Sequence, residues 1–119
     1  MRFLVIGAGL QGSACALDLL QTGSVEKVLL ADRTFDRLPP FLQAVRTDPR
    51  LELVTLRLED HAAVKDAMGR ARSVLSAAPY YFNGDLARLA VECGAHFADL
   101  GGNTAIVQEQ KRLDGAAKA

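Results

Sequence analysis

Tryptophan is absent from this chain of 119 residues, tyrosine and cysteine occur twice each, and neither sign of charge predominates. Each shortage excludes something. Fourteen basic residues balance 14 acidic ones, for a formal net charge of zero, which argues against a nucleic-acid partner or an anionic membrane surface. Cys15 and Cys93 form no CxxC pair and no ligand-like spacing, so they read as small core residues in a reducing compartment. His61 and His96 stand apart from any metal-like partner, and no metal site is expected. His61 reads as a surface helix residue, and His96 opens a strand. Glycine interrupts the first apolar run after Ile6, and no run approaches the roughly 20 residues that a bilayer span needs. A cytoplasmic location is the expectation by elimination.

What the chain does have is a hydrophobic half, enough for the core of one domain spanning 1–119. Short apolar runs alternate with helical periodicity from end to end. Phe3–Ile6, Val28–Ala31, Leu51–Leu56, Ser73–Ala77 and His96–Leu100 read as strands. Continuous rather than alternating apolar strands mean burial on both faces, hence a parallel sheet with helices on each side. Between them, Leu10, Ala14, Leu17 and Leu20 recur at helical spacing, and Gly23 is placed to close that helix. Thr34 is placed to cap the next helix, which Pro39-Pro40 delays; Asp60 caps a third and Asn83 a fourth, ended by Gly94. Asn103 or Thr104 starts a last helix, and 114–119 is expected to fray. Right-handed crossovers give an α/β, Rossmann-type doubly wound sheet in the order 3-2-1-4-5.

The first connection carries the chemistry. Gly7, Gly9 and Gly12 follow a strand and open a helix in G-x-G-x-x-G spacing, and Asp32 ends the second strand 20 positions later. Gly7 permits a tight turn, and Gly9 lets a pyrophosphate approach the backbone. Gly12 lets the helix lie close to the sheet. First-turn amides around Leu10 and Gln11 face the phosphates, aided by the helix dipole. Asp32 is suited to accept from the adenine-ribose hydroxyls. An acid there favours NAD, whereas Arg33 could stack on adenine or meet the 2′-phosphate of NADP. NAD is therefore the expected cofactor, with NADP open.

Two further segments fall on the same edge of the sheet. Ala77, Ala78 and Pro79 follow strand four at the switch point, where small residues admit a dinucleotide and Tyr80, Tyr81 and Phe82 can wall it. The alternative for these aromatics is core filling or an interdomain surface. Strand five ends in Asp99-Leu-Gly-Gly102, read either as a ligand-side edge or as a structural turn in which Asp99 bonds nearby amides. No Ser/His/Asp or Cys/His arrangement is present, so the catalytic residues are unknown.

Taken together, Val5-Ile-Gly-Ala-Gly-Leu-Gln-Gly12, Ser76-Ala-Ala-Pro-Tyr-Tyr-Phe-Asn83 and Cys93-Gly-Ala-His-Phe-Ala-Asp-Leu-Gly-Gly102 resemble the N-terminal domain of saccharopine dehydrogenases and related lysine dehydrogenases. The resemblance spans nearly the whole chain. It implies an oxidoreductase that moves a hydride between a nicotinamide cofactor and the C–N bond of an amino-acid substrate. It also implies a second α/β domain that supplies most substrate contacts, so that this chain is the cofactor half of a longer enzyme and inactive alone. A homodimer is left open for the full-length protein. By position, Gly7, Gly9, Gly12 and Asp32 carry over as cofactor contacts, and Ala77, Ala78 and Pro79 as the loop near the nicotinamide. The competing reading is a non-catalytic NAD(H)-sensing module, which shares the glycine turn. Such modules carry a Gly-Asp-Ala type of turn after strand three, where this chain has Arg57-Leu-Glu-Asp60.

Overall fold

In the computed structural model, which describes residues 1–101 and 103–118, five parallel strands form one sheet in the order β3-β2-β1-β4-β5. The strands are β1 (Arg2–Ile6), β2 (Lys27–Asp32), β3 (Leu51–Thr55), β4 (Ser73–Ser76) and β5 (His96–Asp99). β1 lies in the middle, with Val5 beside Leu30 on one flank and beside Leu75 on the other. The helices are α1 (Leu10–Leu20), α2 (Pro40–Gln43), α3 (His61–Gly69), α4 (Asn83–Glu92), α5 (Thr104–Lys111) and α6 (Asp114–Lys118).

Strand alternation sorts the core into two layers. Leu4, Ile6, Leu29 and Ala31 pack against Val64 and Met68 of α3 and Leu86, Leu89 and Ala90 of α4. Val5, Val28 and Leu30 pack on the opposite face against Ala16 and Leu20 of α1 and Leu42 of α2. Both faces of the central strands are covered, which is why their sequences run apolar without alternation. At the β3 end, Glu52 takes a hydrogen bond from Arg70 at 2.7 Å and pairs with Lys27 at 3.4 Å, joining β2, β3 and the end of α3.

Several local expectations need correction. α1 ends at Leu20 with Gln21 as its cap, three residues before Gly23, whose backbone is not left-handed. Thr34 caps no helix; its hydroxyl accepts from the amide of Asp36 in a turn. α2 is a single turn, because Pro40 fixes its first position and nothing earlier is helical. Asn83 is not a cap either. A 3₁₀ turn over Tyr80–Phe82, entered from Pro79, runs straight into α4 and removes the extended residue that a cap requires. Residues 114–118, expected to fray, form α6, a short helix with no buried residue.

The other signals act as read. Asp60 caps α3 by accepting from Ala63 at 3.1 Å, and Asn103 caps α5 by accepting from Ile106. Gly94 ends the α4 region at φ +69°. The two cysteines, expected in the core, are half-buried free thiols instead, with Cys93 packed against the core from its edge. No helix among the described residues is long and apolar enough to cross a membrane.

Candidate functional site: the cleft at the carboxyl edge

The strands' carboxyl ends open a cleft of about 290 Å³ between the β1 turn, the ends of β2 and β3, and the loop after β4. Its floor is backbone. Gly7 sits at φ +103°, and a Cβ there would stand 2.9 Å from the carbonyl oxygen of Ala77. Both the dihedral and the space therefore require glycine. A Cβ on Gly12 would collide with the carbonyl oxygen of Gly7 and crowd Ala77. The third glycine thus seats α1 on the turn itself rather than on the flat of the sheet. Gly9 differs: a Cβ there would meet nothing within 4 Å. Its bareness serves the open space of the cleft and not the packing.

The turn is pinned from two sides. Gly7 donates to the carbonyl of Ala31 at 2.7 Å, and the buried Ser13 hydroxyl donates to the carbonyl of Ala8 at 3.0 Å. Asp32 adds a third tie. Its Oδ2 accepts from the amide of Ala8 at 2.7 Å, and its Oδ1 accepts from the amide of Arg33 at 2.6 Å. The carboxylate is fixed at the mouth, and each oxygen retains a lone pair for a further donor.

Of the residues expected at the site, Gly7, Gly9, Asp32, Arg33, Ala77, Ala78 and Pro79 line this one cleft. Gly12 lies beneath it, buried. Leu10 and Gln11 are exposed on the first turn of α1 and do not line it; they contribute amides that have no acceptor within the helix. Tyr81 and Phe82 join the wall, with their rings 4.8 Å apart. Ile6 and Ala31 line it from the strand ends. Leu56, Leu58 and Glu59, from the β3–α3 loop, were not anticipated there. Their place follows from β3 lying beside β2, so a doubly wound order already implied that this loop borders the β2 acid.

Asp99 takes the structural alternative. Its Oδ1 accepts from the amide of Gly101 at 2.7 Å, and its Oδ2 accepts from Gln110 Nε2 at 2.6 Å. Gly102 of the same motif lies outside the described residues. His61 is exposed on α3, 4.0 Å from Asp85, and His96 is exposed on β5. Among the described residues no three His, Cys, Asp or Glu side chains gather as metal ligands.

A three-layer parallel sheet with a glycine turn at the switch point and an acid closing β2 defines a dinucleotide-binding Rossmann domain. The chain belongs to the saccharopine dehydrogenase NADP-binding domain family, whose model matches residues 3–119. Among solved structures it is similar to apo saccharopine dehydrogenase (L-Glu forming) from Saccharomyces cerevisiae, with TM-score 0.74 and 18% identity over 91% of this chain and 23% of that one. It is also similar to myo-inositol 2-dehydrogenase from Lactobacillus plantarum, with TM-score 0.72 and 18% identity over 98% of this chain and 33% of that one. A third likeness is to dTDP-glucose 4,6-dehydratase from Bacillus anthracis, solved in complex with NAD, with TM-score 0.64 and 17% identity over 83% and 36%. At these identities the likeness speaks to the fold. The chain spans well under half the length of each.

Proposed function

We propose that this chain holds NAD(H) for an oxidoreductase that transfers hydride at the C–N bond of an amino-acid substrate. The observation that carries the reading is Asp32, locked by Ala8 beside the open Gly9 at the carboxyl edge. In this reading the adenine ribose bonds the free lone pairs of Asp32. The pyrophosphate lies over Gly9 against the first-turn amides of Leu10, Gln11 and Gly12. The nicotinamide end reaches the loop of Ala77, Ala78 and Pro79, across the switch point. The bound nicotinamide supplies the hydride chemistry; the chain's own residues bind and orient it.

The charges of the cleft favour NAD. Asp32 and Glu59 line it with a single cation, Arg33, and two carboxylates repel a 2′-phosphate more than one exposed guanidinium attracts it. The family description names NADP. We give the local charges more weight, because the choice between the two cofactors is made at the ribose. Arg33, exposed beside Leu58, is placed to cover one face of the adenine.

A cleft of about 290 Å³ sits at the lower bound of ligand sites, roughly 300–1,000 Å³. It forms one wall of a catalytic site, and substrate contacts belong to a further domain of the parent enzyme. Titration of the chain with NADH and NADPH by calorimetry tests the reading. Saturable binding with NADH preferred is the expected result; no binding of either at millimolar concentration would overturn it.

A further inference from the structure

Ser76 and Asn83 are buried polar residues at the end of β4 and the start of α4. Neither touches the cleft, and the cap role that the sequence offered Asn83 is not the one it plays. Their hydrogen bonds run in one direction. The amide of Ala78 donates to Ser76 Oγ at 3.3 Å, and the Ser76 hydroxyl donates its only proton to Asn83 Oδ1 at 2.8 Å. The cleft-lining Ala78 is thereby tethered to the first residue of α4.

From Asn83 the chain of bonds continues outward. Gln110 of α5 spends one Nε2 proton on the backbone oxygen of Asn83 at 3.3 Å and the other on Asp99 Oδ2 at 2.6 Å. Asp99 in turn holds the amide of Gly101. The packing beneath is close: a Cβ on Gly84 would stand 3.1 Å from the Glu109 carboxylate, so α5 rests on the first turn of α4. Asn83 is the residue at which the cleft loop and the β5–α5 region meet.

We propose that Asn83 is a positioning residue for the nicotinamide half of the cofactor. It acts through Ser76 on the Ala77–Ala78–Pro79 loop and is itself steadied by Gln110. The proposal rests on the reading above, that this loop faces the nicotinamide while Asp32 serves the adenosine. The two ends of the cleft are then held by separate bonds: the adenosine end by Asp32 and Ala8, the nicotinamide end by Asn83 and Ser76. Removing Asn83 leaves a buried serine proton without its acceptor, and the loop must shift or the hydroxyl must turn away from Ala78.

The test compares two ligands on Asn83→Ala, with thermal unfolding followed in parallel. NADH uses both ends of the cleft, and ADP-ribose lacks the nicotinamide. The variant should bind NADH about tenfold more weakly than wild type and ADP-ribose within twofold, as expected for one broken buried hydrogen bond. Unchanged NADH affinity in the folded variant, or equal weakening of both ligands, would overturn the proposal. Where Asn83→Ala does not fold, the half-buried Gln110→Ala carries the same comparison, with NADH weakened about threefold and ADP-ribose unchanged. A wild-type chain that binds neither ligand would sink the cofactor reading itself, and the proposal with it.

Discussion

The carboxylate of Asp32 and the amide of Ala8 lie 24 residues apart in sequence and 2.7 Å apart in space. This bond joins the glycine turn to the end of the neighbouring strand, so the acid proposed to hold the ribose also shapes the glycine turn. Asp32→Ala should therefore do two things. NADH affinity should fall roughly 10- to 100-fold, the scale of hydrogen bonds to a charged group. NADPH affinity should fall less, because a carboxylate that repels the 2′-phosphate is removed as well. Calorimetric titration of both ligands checks this, and an unchanged NADH-to-NADPH ratio would show that Asp32 does not select the ribose.

The glycines should separate by experiment as they do in space. Gly12→Ala drives a methyl into the Gly7 carbonyl and should destabilise the fold by at least about 2 kcal/mol, read as a lower midpoint of denaturant unfolding. Gly9→Ala adds its methyl to open cleft and should unfold within about 1 kcal/mol of wild type, the cost of a poorer N-cap for α1, while binding NADH poorly. Equal stability loss in both variants would contradict this division.

The scarcity of chromophores offers a direct probe. With tryptophan absent, Tyr80 and Tyr81 are the chain's strongest emitters, and both sit exposed at one rim of the cleft. Reduced nicotinamide absorbs where tyrosine emits, so NADH should quench that emission saturably and NAD⁺ should quench it far less. Tyr81→Phe should lose more of the signal than Tyr80→Phe, since Tyr81 lines the cleft. Identical quenching by NADH and NAD⁺ would show that the nicotinamide does not approach this rim.

Glu52 makes a pH-dependent contribution. The hydrogen bond from Arg70, reinforced by the charge of Arg70 and to a smaller extent by Lys27, outweighs burial and holds its carboxyl below the ordinary glutamate value. A depressed native value means that the folded state releases this proton more readily than the unfolded chain does. The added stability is whole above the unfolded value of about 4.3 and is lost as pH falls through the native one. Because the side chain is 36% exposed, the contribution is about 0.5–1 kcal/mol. Glu52→Gln should cost that much at pH 7 and almost nothing below pH 3, measured by urea unfolding. A cost independent of pH would point to packing instead of charge.

How much of this was legible from sequence depended on how local the cause was. Strand order followed from unbroken apolar runs such as Phe3–Ile6 and from right-handed crossovers around a glycine turn after the first strand. Asp60 and Asn103 cap helices as their positions suggested, because capping is a matter of three residues. Asn83 looked alike and acts otherwise, since the 3₁₀ turn after Pro79 changes the backbone that reaches it. Leu56, Leu58 and Glu59 escaped notice for a different reason. Their chemistry comes from the strand they follow lying beside β2, a relation that no spacing within the loop encodes.

The convergence of Gly7, Gly12 and Ala77 has a practical consequence. The glycine turn with the start of α1 and the loop after β4 meet there with almost no side-chain atoms between them. The base of the cleft therefore offers almost no side chain to exchange, and the side chains that brace it, Ser13, Asp32 and Ser76, do so by bonding its main chain. Whoever wishes to retune this domain from one cofactor to another must work at the perimeter: at Arg33 and Glu59, whose side chains make no bond to the turn, and at Asp32 only together with its tie to Ala8.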